Sequence, residues 1–557
     1  MEKPWLKEYL DGVPAEIDAD SYSSLVAMIE ESFVRFSDRP AFHNMGTSIT
    51  FKELDRLSAA FAGYLLGTLN LTKGDRVAVM MPNVLQYPVV LYGILRAGLI
   101  AVNVNPLYTP RELEYQLKDS GSKVLVILAN FAHTFEAMEG ITAVEKVLVT
   151  QLGDLLHGFK KPLVNFVVKY VKRMVPEFEI PGSEPLLDAL ERGKGLSLPD
   201  VKVESGDIAF LQYTGGTTGV SKGAVLTHRN MVANVLQAES WIGGTFEMGE
   251  EIAFAPLPLY HIFSLTANCL FMTKLGGLNV LITNPRDIPA FIKELKQWKW
   301  TFITGVNTLY LALLNHPEFK NLDFSHLKIS LAGGMAVTRG VAQRWAETTG
   351  HVLLEAYGLT ETSPAACINP TNLPEYNGAI GLPISSTLVA ILDESDQPVA
   401  LGQPGELGIK GPQVTQGYWQ KPEETERLFS PDGWLKTGDV AIMDERGFVR
   451  LIDRKKDMIL VSGFNVYPNE IEDVISLHEG ILELAAIGVP DEKSGEVVKI
   501  FVVKKDPKLT EAEVMDYCRK NLTGYKRPKQ IEFIDELPKT NVGKILRRAL
   551  RPAPPSA

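Results

Sequence analysis

Cysteine is scarce: Cys269, Cys367 and Cys518 are the only three in 557 residues. They form no Cys-x-x-Cys pair and neighbour no His cluster. That removes a disulfide framework and a thiolate zinc site, and leaves small buried thiols. Positive charge is also short, with 56 Lys and Arg against 67 Asp and Glu and a formal net charge of −11. Gripping nucleic acid through its phosphates takes a basic face, so the balance argues against nucleic-acid binding. No run of about 18 consecutive apolar residues occurs, so no transmembrane helix is expected. The stretch 1–10 has two lysines, two glutamates and no apolar core, unlike a secretory signal. These absences point to a reducing, cytoplasmic setting.

Apolar residues, by contrast, are plentiful at 45%, enough for several cores, and the length favours more than one domain. Near-continuous apolar runs at 75–82, 124–128, 147–150, 208–214 and 278–283 read as strands, several of them buried on both faces. Helical patterns such as 51–66 lie between them. The alternation predicts an α/β fold with partly parallel sheets, here two α/β subdomains. From about 385 to 452, Gly, Pro and Asp punctuate shorter strands, which predicts a small β-rich subdomain closing an N-terminal domain of residues 1–452. A boundary falls at 453–455. Residues 456–557 read as a separate α+β domain with a disordered tail from Pro552.

Residues 160–175, KKPLVNFVVKYVKRMV, form a basic amphipathic pattern. Helical spacing puts Asn165, Lys169, Lys172 and Arg173 on one face, with Leu163, Phe166, Val167, Tyr170 and Val171 elsewhere. A surface helix packed on the core and a helix lying in a membrane interface both fit.

The densest chemical signal is Tyr213-Thr214-Gly215-Gly216-Thr217-Thr218-Gly219-Val220-Ser221-Lys222-Gly223, which follows an apolar strand. Glycines admit an anion close to backbone N–H groups, threonines add donors and Lys222 adds charge. The order Ser-Lys-Gly differs from the Gly-Lys-Ser/Thr ending of a Walker A loop. This run resembles the phosphate loop of the acyl- and aryl-adenylating enzymes. Pro258-Leu259-Tyr260-His261, Tyr357-Gly358-Leu359-Thr360-Glu361-Thr362, Gly433 to Asp439 and Pro538 to Lys544 then follow in that family's order. The resemblance spans nearly the whole chain.

The resemblance implies ATP and coenzyme A as co-substrates, Mg²⁺ as cofactor and a fatty acid as the acid activated. Lys544 becomes the catalytic lysine bridging carboxylate and α-phosphate, where positive charge counters two anions. Thr360 hydrogen-bonds the α-phosphate, Glu361 and Thr217 hold the metal, and Asp439 and Arg454 hold the ribose. Gly333, Gly334 and Met335 form the adenine wall, with Tyr357 and Gly358 beside it and Tyr357 stacking. His261 lines the acyl pocket near the carboxylate.

A bulky thiol and Lys544 do not fit one site at once. The resemblance therefore implies a C-terminal domain that rotates about a hinge at Asp453 and Lys455, bringing Gly463 close to the pantetheine arm. The cluster Lys526, Arg527 and Lys529 is a candidate contact for coenzyme A phosphates. Residues 260–266 lack the Asp that holds an amine in peptide-synthetase pockets. Residues 453–470 resemble bacterial long-chain fatty acyl-CoA ligases. Medium-chain or aryl acids, an acyl-AMP ligase that loads a carrier protein, and a non-catalytic binding protein stay open as alternatives. So do peripheral membrane contact through 163–175 and a homodimer.

Overall fold

The computed structural model describes residues 2–138, 142–196, 201–214, 221–462, 464–491, 493–540 and 543–551. Two large sheets form the N-terminal domain. The seven-stranded sheet runs Glu184–Pro185, Lys146–Thr150, Val124–Leu128, Arg76–Met80, Ile100–Asn103, Ile208–Thr214, Lys222–Thr227. Its strands pair in parallel until the last, which returns antiparallel from the candidate phosphate loop. The nine-stranded sheet has a parallel centre, with Ile252–Ala255, Phe302–Gly305, Ile329–Gly333 and Leu353–Gly358 adjacent. The expected strands are found at these places, and the carboxyl ends of the parallel strands carry the candidate site residues, the usual placement in open α/β sheets.

Helices wedge between the sheets. Helix Phe51–Gly63 opens on a capping box between Thr50 and Glu53, which satisfies two otherwise orphaned backbone donors. In helix Gln86–Arg96 every residue from Gln86 to Leu95 is buried. Its side chains are apolar on all sides because both sheets cover it. Each of its Val, Leu and Ile side chains contributes roughly 1.5–3 kcal/mol on burial. Its tyrosines do more than pack. Tyr87 donates to the Leu259 carbonyl at 2.8 Å and Asn83 spans Ala255, Leu257 and Leu259, each at 2.8 Å. These bonds pin the loop that ends at His261.

The β-rich subdomain is a four-stranded antiparallel sheet, Leu388–Leu392, Gly405–Lys410, Leu435–Met443 and Val449–Arg454. Its last strand runs through Asp453 and ends at Arg454. The C-terminal domain is a five-stranded sheet with helices Pro468–Ile475 and Glu511–Asn521. Its two apolar clusters contain only residues from Ile459 onward.

The 160–175 segment departs from expectation. An α-helix covers Lys160–Phe166, a π-turn covers Val167–Val171, and Arg173 takes a left-handed φ of 51°. Asn165, placed by helical spacing on the face of Lys169, Lys172 and Arg173, turns inward while they are exposed. Its Oδ1 accepts from the Gly153 N–H at 2.7 Å and its Nδ2 donates to Asp154 at 3.1 Å. Val164 and Val168 pack inward with it. With the inward stripe this narrow, the other apolar side chains face out. Phe159, Leu163, Phe166, Tyr170, Val171 and Met174 are each more than half exposed, alongside exposed Lys169, Lys172 and Arg173. Among the described residues, no helix is long and apolar enough to cross a membrane.

Candidate active site

A cavity of about 1980 Å³ opens where the two large sheets, the β-rich subdomain and the C-terminal domain meet. Tyr213, Thr214, His261, Gly333, Gly334, Met335, Tyr357, Gly358, Thr360, Glu361, Asp439, Arg454 and Lys544 all line it. Residues drawn from positions 213 to 544 thus converge on one space. Gly215, Gly216, Thr217, Thr218, Gly219 and Gly463 lie outside the described residues.

Lys544 follows a tight turn in which the Gly543 N–H donates to the Thr540 carbonyl and the Lys544 N–H to Thr540 Oγ1. The turn touches the N-terminal domain where Thr308 Oγ1 donates to the Gly543 carbonyl at 3.0 Å. The lysine side chain enters over Gly334. A Cβ on Gly334 would come 3.1 Å from Lys544 Cε, and Gly334 has φ +79°, so glycine meets both the close approach and the left-handed backbone. Burial, reinforced by the nearby Arg454 guanidinium and opposed by Asp439, lowers the Lys544 ammonium to about 8.

Asp439 stands at the end of the β-rich sheet, paired in register with Arg454. Its Oδ2 accepts the Tyr357 hydroxyl at 2.6 Å and its Oδ1 lies 3.4 Å from Arg454 Nε. Burial pushes its carboxyl up, and Arg454 and Tyr357 pull it back toward the ionised form. Tyr357 is thus held by its hydroxyl. Gly358 next to it is required by a close approach, since a Cβ there would sit 1.8 Å from the Pro364 carbonyl oxygen.

Glu361 sits in the 3-10 turn Thr360–Thr362, half buried beside half-buried Thr360. Its Oε1 accepts the Tyr418 hydroxyl at 2.6 Å, and its carbonyl accepts the Thr415 N–H at 2.8 Å. Its Oε2 has no hydrogen-bond partner among the described residues, so one carboxylate oxygen is free to meet a cation. Among the described residues no group of three or more His, Cys, Asp and Glu gathers to hold a metal. One carboxylate, with phosphate and water supplying the other oxygens, suits Mg²⁺.

His261 caps the short helix Ile262–Ser264, its Nδ1 accepting from the Phe263 N–H at 3.4 Å. Burial, then the Lys544 charge, lowers its imidazole to about 3. It is a neutral wall near pH 7. Beyond it the cavity turns apolar along Phe263, Ala267, Phe271, Ala238, Ile242 and Leu331.

Lys222 starts the return strand from the phosphate loop and pairs with Glu424. The Tyr213 hydroxyl donates to Asp119 at 2.7 Å, and Asp119 also meets Lys421 at 2.7 Å. Asp453 sits between the domains, its two carboxylate oxygens accepting from the Arg454 and Asn469 N–H groups. Burial raises its carboxyl to about 6 against the pull of Arg547. The Lys455 N–H donates to the Gly438 carbonyl, and its ammonium lies 3.5 Å from Glu406.

Sequence reasoning missed Tyr418, Thr308, Asp119 and Glu424. The nearest signal was the aromatic pair Tyr418-Trp419 between Gly417 and Pro422, which carries no chemistry until the fold sets it against Glu361.

Residues 29–419 match the family model described as AMP-binding enzyme, and residues 470–544 match the AMP-binding enzyme C-terminal domain. The chain is 58% identical over 551 residues to a long-chain-fatty-acid–CoA ligase of Escherichia coli O157:H7, covering 99% of this chain and 98% of the relative. It is 53% identical over 555 residues to a protein of the same name from Haemophilus influenzae, with the same coverage of 99% and 98%. Among solved structures it matches an anthranilate CoA ligase in complex with anthranoyl-AMP. The TM-score is 0.84 at 25% identity, over 96% of this chain and 98% of that one.

Proposed function

The chain belongs to the AMP-binding enzyme family, and from that premise we propose that it joins a long-chain fatty acid to coenzyme A in two ATP-dependent steps. The observation that supports the reading is one cavity lined by Lys544, Asp439 and Glu361 and also by the apolar Phe263, Ala267, Phe271, Ala238, Ile242 and Leu331.

In the first step a carboxylate oxygen attacks the α-phosphorus of ATP. The bond to the β-phosphate oxygen breaks, pyrophosphate leaves and acyl-AMP forms. Attacker and target are both anions, so the barrier is largely electrostatic, and Lys544 supplies the opposing charge. Thr360 donates to the α-phosphate and Asp439 accepts from the ribose hydroxyls, with Arg454 beside it. Gly333, Gly334 and Met335 form the wall for adenine. Glu361 would hold Mg²⁺, which when bound would offset the negative charge of the leaving pyrophosphate. Lys222 and the loop before it cradle the phosphates.

In the second step the sulfur of coenzyme A attacks the acyl carbon. The carbon–oxygen bond to phosphate breaks, AMP leaves and the thiol proton passes to solvent. A thiol ionises near pH ~8.5 and does not demand a strong base, which accords with a neutral His261. The C-terminal domain withdraws Lys544 between steps by turning about Asp453 and Lys455, and brings Gly463 to the thiol arm.

The acyl chain lies along the apolar extension past Ala238 and Ala267. The exposed apolar and basic side chains at 159–174 would meet an anionic bilayer, where such acids partition. Unchanged flotation with anionic vesicles after Phe166→Asp and Tyr170→Asp would sink that contact.

The test is CoA-ester formation with ATP and Mg²⁺ across acetate, octanoate, palmitate, oleate and 4-coumarate. A maximum at palmitate or oleate supports the reading. A maximum at octanoate or coumarate keeps the chemistry and changes the acid. Acyl-AMP release without CoA ester favours a carrier-loading ligase.

A further inference from the structure

Among the described residues the Lys222 ammonium has two recorded partners. It pairs with the Glu424 carboxylate, and it lies 5.2 Å from the centre of the Tyr418 ring. The hydroxyl of that same ring donates to Glu361 Oε1 at 2.6 Å. One aromatic side chain therefore joins the cation proposed for the triphosphate to the carboxylate proposed for its metal.

Glu424 is on the helix Pro422–Leu428, which has other anchors besides it. Lys421 anchors the helix through Asp119 at 2.7 Å, and Thr425 Oγ1 accepts from the Tyr418 N–H at 2.9 Å. Besides Lys222, the charge near Glu424 is Arg427 at 3.6 Å, which is largely exposed. The carboxylate pairs with Lys222, the first described cation after the candidate phosphate loop. Both side chains are about one-third exposed, so the pair is weak enough to exchange partners.

We propose that Glu424 is an internal stand-in for phosphate: it holds Lys222 over the Tyr418 ring until triphosphate arrives, then yields it, and so sets ATP affinity rather than the rate of the chemical step. The Tyr418 ring keeps the ammonium in place during the exchange, since a cation over a π face gains without a fixed partner. Because the carboxylate competes with ATP for one lysine, removing its charge tightens nucleotide binding. This rests on the reading of Lys222 as a phosphate contact.

The experiment is calorimetric titration of the full-length protein with MgATP, without acid substrate, for the native chain, Glu424→Gln, Lys222→Gln and the double variant, with thermal melts to show that each folds. The expected result is that Glu424→Gln binds about two- to fivefold more tightly, the size set by a part-exposed ion pair. Lys222→Gln binds more weakly, and adding Glu424→Gln to it gives no gain. Equal or weaker binding by Glu424→Gln while Lys222→Gln loses affinity overturns the role of Glu424 and leaves the phosphate-loop reading standing. Unchanged binding by Lys222→Gln overturns both.

Discussion

Asp439 and Glu361 each lean on a tyrosine hydroxyl 2.6 Å away, and the loop carrying His261 is tied to the opposite sheet by Asn83 and Tyr87. Lys544 reaches the same cavity from a domain whose apolar clusters include nothing before Ile459. That domain meets the N-terminal one through polar contacts, such as Thr308 on Gly543 at 3.0 Å and the Arg339 N–H on Asp473 at 3.4 Å. The N-terminal part of the site is tied together by hydrogen bonds. The polar contacts named between the domains are worth about 0.5–1.5 kcal/mol each, and the rotation proposed above would take no residue out of either apolar cluster of the C-terminal domain. That contrast is what a site needing a lysine for one step and space for a thiol in the next would have.

The contrast breaks most directly at Lys544. Replacing it with Ala is expected to slow acyl-AMP formation by about 10²–10³-fold, the usual cost of losing one charge-stabilising group. CoA-ester formation from supplied acyl-AMP stays near native, because the proposed second step proceeds without the lysine. Single-turnover measurement of the two half-reactions checks this, and equal losses in both would mean the two halves are not separable.

A medium effect comes from pH. The working form of Lys544 is the ammonium, and burial lowers it to about 8. Acyl-AMP formation at subsaturating ATP therefore falls as pH rises through about 8. Saturating MgATP, an anion that favours the charged lysine, moves the fall upward. A Lys544→Arg profile lacks this limb, since guanidinium stays charged. A limb that survives in the variant belongs to another group.

The smallest effect tests the seam. Thr308→Val removes the hydroxyl that holds the Gly543 carbonyl, which should lower the adenylation rate about two- to tenfold while leaving thioester formation and thermal stability nearly unchanged. A large fall in melting temperature would show that the seam is structural instead.

Much of the site was legible because its chemistry needs particular residue types in short runs. Gly-rich loops, Thr360-Glu361 and the late Lys544 show in the letters, and so do the buried parallel strands, whose runs stay apolar on both faces. The partners of those residues were not legible. Tyr418 lies 57 residues from Glu361 and Tyr357 82 residues from Asp439, with no local pattern tying either pair. The segment at 160–175 was legible as helical from Lys160 to Phe166, but its orientation was not, for a related reason. Helical spacing sorts side chains around an axis, but which side faces the protein depended on Asn165 finding the Gly153 N–H and Asp154.

The sequence by itself determined the class of fold, the order of the motifs and the candidate groups for holding ATP, because backbone geometry and charge are local properties. The tertiary structure alone decided which acid each cation meets, that His261 is neutral, and that six large apolar side chains between 159 and 174 face outward. Those depend on desolvation and on contacts across hundreds of residues, which exist only once the sheets have packed.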